Sequence, residues 1–70
     1  ITMYPNPVKD ILNFSEEVFQ ISITDFSGKR VKQVSDFTKS VHLAHLAKGV
    51  YILTATTKSG KIITKKLIKG

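Results

Sequence analysis

The stretch Val18-Phe19-Gln20-Ile21-Ser22-Ile23-Thr24-Asp25-Phe26-Ser27-Gly28-Lys29 decides the fold class of this chain. From Val18 to Asp25, β-forming residues alternate with polar ones. Phe19, Ile21 and Ile23 fall on one side of the alternation, and Gln20, Ser22 and Thr24 on the other. A period of two is the signature of a strand, and one apolar face opposite one polar face is the signature of an antiparallel sheet. Phe26-Ser27-Gly28-Lys29 then reads as a tight turn. Gly28 supplies a positive φ there, and the Asp25 carboxylate is placed to accept bonds from nearby backbone amides. Arg30 to Val34 is the return strand.

The same pattern extends outward in both directions. Toward the N-terminus, Ser15-Glu16-Glu17 is a polar break, preceded by a strand over Ile11 to Phe14 and a turn at Val8-Lys9-Asp10. Ile1 to Tyr4 is a short strand halted by Pro5-Asn6-Pro7. Proline fixes φ, removes a donor and biases its predecessor toward extended geometry, so this segment is expected to form a rigid, extended crossing. Toward the C-terminus, Ser35 to Lys39 reads as a polar loop around Phe37, and Val41 and Leu43 alternate with Ser40 and His42. Ala44 to Ala47 could form one helical turn. Leu46-Ala47-Lys48-Gly49 is a second turn. Val50 to Thr57 is a long strand with Tyr51, Leu53 and Ala55 on one face, and Lys58-Ser59-Gly60-Lys61 closes a hairpin. Ile62 to Ile68 is the last strand. Its facing is ambiguous, because Ile62 and Ile68 oppose Ile63 and Leu67. No helical period, repeat or low-complexity linker interrupts this series. The expected fold is all-β: a small immunoglobulin-like antiparallel sandwich of about seven short strands. A small open barrel is the alternative.

Seventy residues make one domain, 1–70, and it reads as a fragment of a larger protein. The hydrophobic share of 41% and charged share of 23% suit a folded chain rather than a disordered tail. There is no cysteine, which removes disulfides and cysteine-ligated zinc. No apolar run approaches the length of roughly 20 residues that a membrane-spanning helix needs, so no membrane insertion is expected.

The net charge of +6 is unevenly placed. Residues 1–36 hold all five acids against four cations. Residues 37–70 hold seven lysines and no acid, for +7. That asymmetry points toward an anionic partner. The plainer reading is a solvated lysine face that blunts an edge strand.

Catalytic equipment is missing. His42 and His45 are three apart, which on a strand puts them on opposite faces, and no acid follows Asp36 to complete a metal shell. Ser15, Glu16 and Glu17 are adjacent and have no paired base. Asp25 alone cannot build a calcium site. Neither an enzyme nor a cofactor or metal site is expected. Specific nucleic-acid binding is disfavoured as well. The basic stretch from Thr56 to Gly70 has no aromatic for base stacking, and the only arginine is Arg30.

Four motifs in order resemble those of the type IX secretion system C-terminal sorting domains of Bacteroidetes. Tyr4-Pro5-Asn6-Pro7 resembles the family's opening element. Val18 to Lys29, ending in Asp25, Gly28 and Lys29, resembles its strand-and-turn element. Leu46, Gly49 and Tyr51 resemble its L-x-x-G-x-Y element, and Lys65 to Lys69 its lysine-rich last strand. The resemblance implies a non-catalytic signal on the C-terminal side of a cargo domain. The cargo would pass through the periplasm, be handled by the outer-membrane type IX translocon and its associated sortase machinery, and reach the cell surface or medium. It also implies a seven-stranded immunoglobulin-like fold.

Under that resemblance, Tyr4, Pro5, Asn6, Pro7, Asp25, Gly28, Lys29, Leu46, Gly49 and Tyr51 are expected to serve the fold. The expected recognition surface is Lys61, Lys65, Lys66, Leu67, Ile68 and Lys69. The rival reading is an immunoglobulin-like adhesive or carbohydrate-binding module. It is disfavoured because Tyr4, Phe14, Phe19, Phe26, Phe37 and Tyr51 mostly hold core-like positions. The oligomeric state stays open.

Overall fold

The computed structural model describes residues 1–70. Six strands make up the fold: β1 (Met3–Tyr4), β2 (Ile11–Asp25), β3 (Arg30–Val34), β4 (Thr38–His42), β5 (Gly49–Thr57) and β6 (Ile62–Lys69). All named strand pairings are antiparallel. They join into one curled sheet, a half-barrel, rather than the expected seven-stranded sandwich. Strand β2 is the reason. Its fifteen residues run straight through Ser15-Glu16-Glu17, where the sequence predicts a break.

One long strand thus serves both halves of the molecule. Asn13 pairs with both Tyr4 and Ser40, and Ile23 with both Lys32 and Leu53. Strands β4 and β3 therefore line one edge of β2, and β1 and β5 line the other. Local propensity favoured a break at three polar residues, but partners on both sides hold the backbone extended. Ser15 helps directly: its amide donates to the Thr2 carbonyl at 2.9 Å, and its hydroxyl accepts the Thr2 amide at 2.9 Å.

The curl closes on itself at the termini. Strand β6 lies outside β5, and its far edge returns to the segment that follows β1. Val8 donates to the Ile68 carbonyl at 2.8 Å, and Gly70 donates to the Val8 carbonyl at 2.9 Å. Val8 is completely buried, although its setting in Val8-Lys9-Asp10 reads as an open turn. It joins Leu12, Phe14, Val18, Ile21, Ile23, Val41, Leu43, Leu46, Tyr51, Leu53, Ala55 and Leu67 in a single core.

One expected facing is reversed. Gln20 has φ 50°, and the register between β2 and β5 slips there, from Phe19↔Thr56 to Ser22↔Thr54. This is a β-bulge, with one more residue on β2 than on its partner. It shifts the alternation by one. Val18 takes the buried position and Phe19 turns outward, so Phe19 does not share a face with Ile21 and Ile23.

The ambiguous last strand is resolved by its partner. Residues directly opposite in an antiparallel pair share a face. Opposite Ala55, Leu53, Tyr51 and Gly49 lie Ile63, Lys65, Leu67 and Lys69. Ile63, Leu67 and Lys69 turn toward the core, Lys65 lies on the same face but is exposed, and Ile62, Thr64, Lys66 and Ile68 face outward. Elsewhere the differences are small. Strand β4 begins at Thr38, inside the expected loop, and Ala44 to Ala47 forms a turn rather than a helix, with Leu46 donating to the Leu43 carbonyl at 3.1 Å.

Candidate functional site

Strand β6 is an edge strand, and only the C-terminal part of its outer edge is covered. The chain bends at Asn6 and Pro7, so this segment is not the extended crossing expected from its prolines. It sets the Asn6 carboxamide against β6. The Ile68 amide donates to Asn6 Oδ1 at 2.9 Å, and Asn6 Nδ2 donates to the Lys66 carbonyl at 3.1 Å. One side chain thus supplies the acceptor and donor that a neighbouring strand would supply. Together with Val8, it satisfies the edge from the Lys66 carbonyl to Gly70. Tyr4 is exposed on β1, and Pro5 and Pro7 are exposed around Asn6.

The Asp25–Lys29 turn is organised from its first residue. Asp25 Oδ1 accepts the Ser27 amide at 2.9 Å, the Ser27 hydroxyl at 2.6 Å and the Lys29 amide at 3.0 Å. The Ser27 hydroxyl, followed by the Lys29 amide, holds the carboxyl below its ordinary range. Gly28, at φ 89°, sits where an L side chain is strained although nothing crowds its missing Cβ.

Thr57 to Lys61 repeats this arrangement. Thr57 Oγ1 accepts the Lys61 amide at 3.1 Å and shares a 2.9 Å bond with Ser59 Oγ, and Gly60 also has φ 89°. The two hairpin loops are the same device, a turn closed by a left-handed glycine. The shared sequence signal is Asp or Thr followed by x-Ser-Gly-Lys, at Asp25–Lys29 and Thr57–Lys61.

The Leu46–Tyr51 element is also self-contained. Leu46 is buried, Gly49 adopts φ 155°, and the Tyr51 hydroxyl donates to the Ala47 carbonyl at 2.6 Å. Tyrosine bonding back to the chain a few residues upstream is a recurrent corner of immunoglobulin-like folds.

The lysine-bearing strand divides by face. Lys61, Lys65 and Lys66 are exposed, and Ile68 is partly so. Leu67 is wholly buried and Lys69 is only 8% exposed, with its ammonium near the Gly70 carbonyl at 3.5 Å. The side chains of Leu67 and Lys69 are buried, so Lys61, Lys65, Lys66 and Ile68 are the exposed members of the expected set. Beside them Ile62 is 67% exposed, an apolar residue missing from the set expected from sequence.

The aromatics are less buried than their positions in sequence imply. Only Phe14 and Tyr51 lie in the core, whereas Tyr4, Phe26 and Phe37 are exposed. Phe37 packs on the outward-turned Phe19 with ring centroids 4.7 Å apart. Phe26 sits in the turn after Asp25, six residues further along β2, or roughly 20 Å away. The exposed rings therefore make one pair and two separate singles, not a continuous platform.

A shallow cleft of about 290 Å³ is lined by Ile1, Glu16, Glu17, Thr57, Lys58, Ser59 and Lys61. Lys58 and Glu17 pair across it at 2.8 Å, and the Lys58 hydrogen bond and charge hold the Glu17 carboxyl low. Both groups are open to water, so the pair adds little. Ser15, the neighbouring hydroxyl, accepts a backbone amide, and no nucleophile–base pair forms in the cleft. His42 and His45 are both exposed.

A model of the secretion-system C-terminal sorting domain matches residues 2–70, nearly the whole chain. The chain belongs to that family. Neither a curated protein nor a solved structure matches it. Sorting domains of this family are signals for type IX secretion and are in general non-catalytic. The role implies a cargo on the N-terminal side and export to the cell surface or medium. The match takes in all four motifs. In this sorting domain three of them are structural devices: an edge clamp at Asn6, a carboxylate-centred turn at Asp25 and a tyrosine corner at Tyr51.

Proposed function

We propose that this sorting domain carries a cargo from the periplasm through the outer-membrane type IX translocon, and that the translocon and its sortase machinery read the exposed edge of β6. Lys61, Lys65 and Lys66 supply charge there, with Ile62 and Ile68 as apolar contacts. The reading is carried by one observation. Within the acid-free half of the chain, Lys65 and Lys66 are exposed on the strand whose edge is open between Ile62 and Lys66, and Lys61 is exposed immediately before it. Unpaired edge groups recruit a further strand, and surrounding charge selects which one.

The test is a reporter fusion. A periplasmic reporter bearing these residues, expressed in a type IX-competent host, should reach the surface or medium. Replacing Lys61, Lys65 and Lys66 together with glutamine should leave the domain folded and the reporter in the periplasm. Export at the native level by a folded triple variant would refute the assignment of the edge. Retention of the native fusion would refute the role itself. The adhesive or carbohydrate-binding reading gains only the Phe19–Phe37 pair, which is too small for a sugar platform.

A further inference from the structure

The outer edge of β6 has a sharp boundary. Outward-pointing backbone groups belong to alternate residues, here Ile62, Thr64, Lys66 and Ile68. Asn6 and Val8 take the Lys66 carbonyl and both groups of Ile68. Left open are the N–H and C=O of Ile62, those of Thr64, and the N–H of Lys66. The open stretch is about 16 Å long at strand rise.

We propose that Asn6 is a register stop. It confines any strand added to β6 to the Ile62–Lys66 stretch, and the occupant is a short acidic segment of a partner protein. This rests on the reading that β6 is the recognised edge, and it adds the length and chemistry of what binds there. Charge decides against a second copy of the chain. Antiparallel pairing of β6 with β6 over the open stretch would set Lys65 diagonally against Lys61 and Lys65 of the second copy, and residues 37–70 contain no acid to offset them. Opposite charges across a strand pair are favourable and like charges are not. Ile62 adds an exposed apolar position at one end, so an acidic segment with alternating apolar residues fits.

The stop is a side chain, which makes it separable from the fold. Substituting Asn6 frees the Lys66 carbonyl and the Ile68 amide while the Val8 ladder bonds remain. The edge then lengthens by two residues.

The test uses the whole chain and three synthetic peptides with three glutamates each. One alternates glutamate and valine over five residues, and one does so over seven. The third has seven residues, with proline in place of valine so that it cannot pair as a strand. The native chain should bind the two alternating peptides within about twofold of each other, and the proline peptide about tenfold more weakly. Asn6→Ala should favour the seven-residue peptide over the five-residue one by about tenfold, the scale of one added hydrogen bond. Its Ile68 amide should also exchange faster when free and slow when that peptide binds. Asn6→Ser provides the same comparison if Asn6→Ala does not fold.

Four results would overturn the proposal. They are no binding of either alternating peptide, equal binding of the proline peptide, a length preference already present in the native chain, or none in either variant. Equal binding of the proline peptide would mean that charge alone attracts any polyanion. Export of the lysine-to-glutamine fusion is a separate readout, so the sorting role and the register stop can fail independently.

Discussion

The hydroxyl of Tyr51 donates to the carbonyl of Ala47 at 2.6 Å, so the last residue of the Leu46–Tyr51 motif also closes it. Tyr51 is buried, and its ring packs in the core while its hydroxyl fixes the chain's entry into β5. Tyr51→Phe keeps the ring and removes the bond. It should lower stability by about 1 kcal/mol. Urea unfolding of the two chains checks this, and an unchanged midpoint would show that the corner is held by packing alone.

Gln20 sits in the left-handed region at the bulge that turns Phe19 outward. A β-branched side chain is poorly tolerated there, and glycine is accepted readily. Gln20→Val should cost about 1 to 2 kcal/mol, whereas Gln20→Gly should be close to neutral. Equal losses from both, measured by thermal unfolding, would place the cost in the Gln20 side chain instead of the backbone.

Gly28 and Gly60 share φ 89°, and a Cβ at either would meet nothing within 4 Å. The cost of Gly28→Ala and Gly60→Ala is therefore conformational, about 1 kcal/mol for each. Asparagine, which tolerates the left-handed region, should restore part of the loss at both sites. A large difference between the two alanine variants would count against a shared turn device.

Asp25 and Glu17 both titrate below the ordinary carboxylate range. Their contribution to stability is fully present above the unfolded value, about 3.9 to 4.3, and is lost as pH falls through the lower folded values. Asp25→Asn and Glu17→Gln should each flatten the acid limb of a stability–pH curve. Salt should distinguish them. The Glu17–Lys58 pair is an exposed ion pair and should fade at about 1 M salt. Asp25 is held chiefly by a hydroxyl and a backbone amide, so its effect should persist. Denaturant curves from pH 6 to pH 2 at low and high salt would reveal the contrary behaviour.

Much of this protein was legible from short windows of sequence. The alternation around Ile21, Ile23, Tyr51, Leu53 and Ala55 determined an all-β chain. The two glycine turns and the aspartate beside the first were readable because turn chemistry acts within four or five residues. The charge split located the basic half, and four ordered motifs named the family.

What the tertiary structure decided lies between residues far apart in the chain. Phe19 faces outward because a bulge opposite β5 shifts the alternation, and a period of two carries no mark of the slip. Strand β2 crosses Ser15-Glu16-Glu17 because neighbours on both edges outweigh local propensity, and that crossing turns an expected sandwich into one curled sheet. Lys69 is withdrawn from solvent by its inward place opposite Gly49. Asn6 meets Ile68 across 62 positions of sequence. Side-chain alternation and turn geometry are local properties of the backbone, but register, curl and the covering of an edge depend on which distant strand arrives beside it.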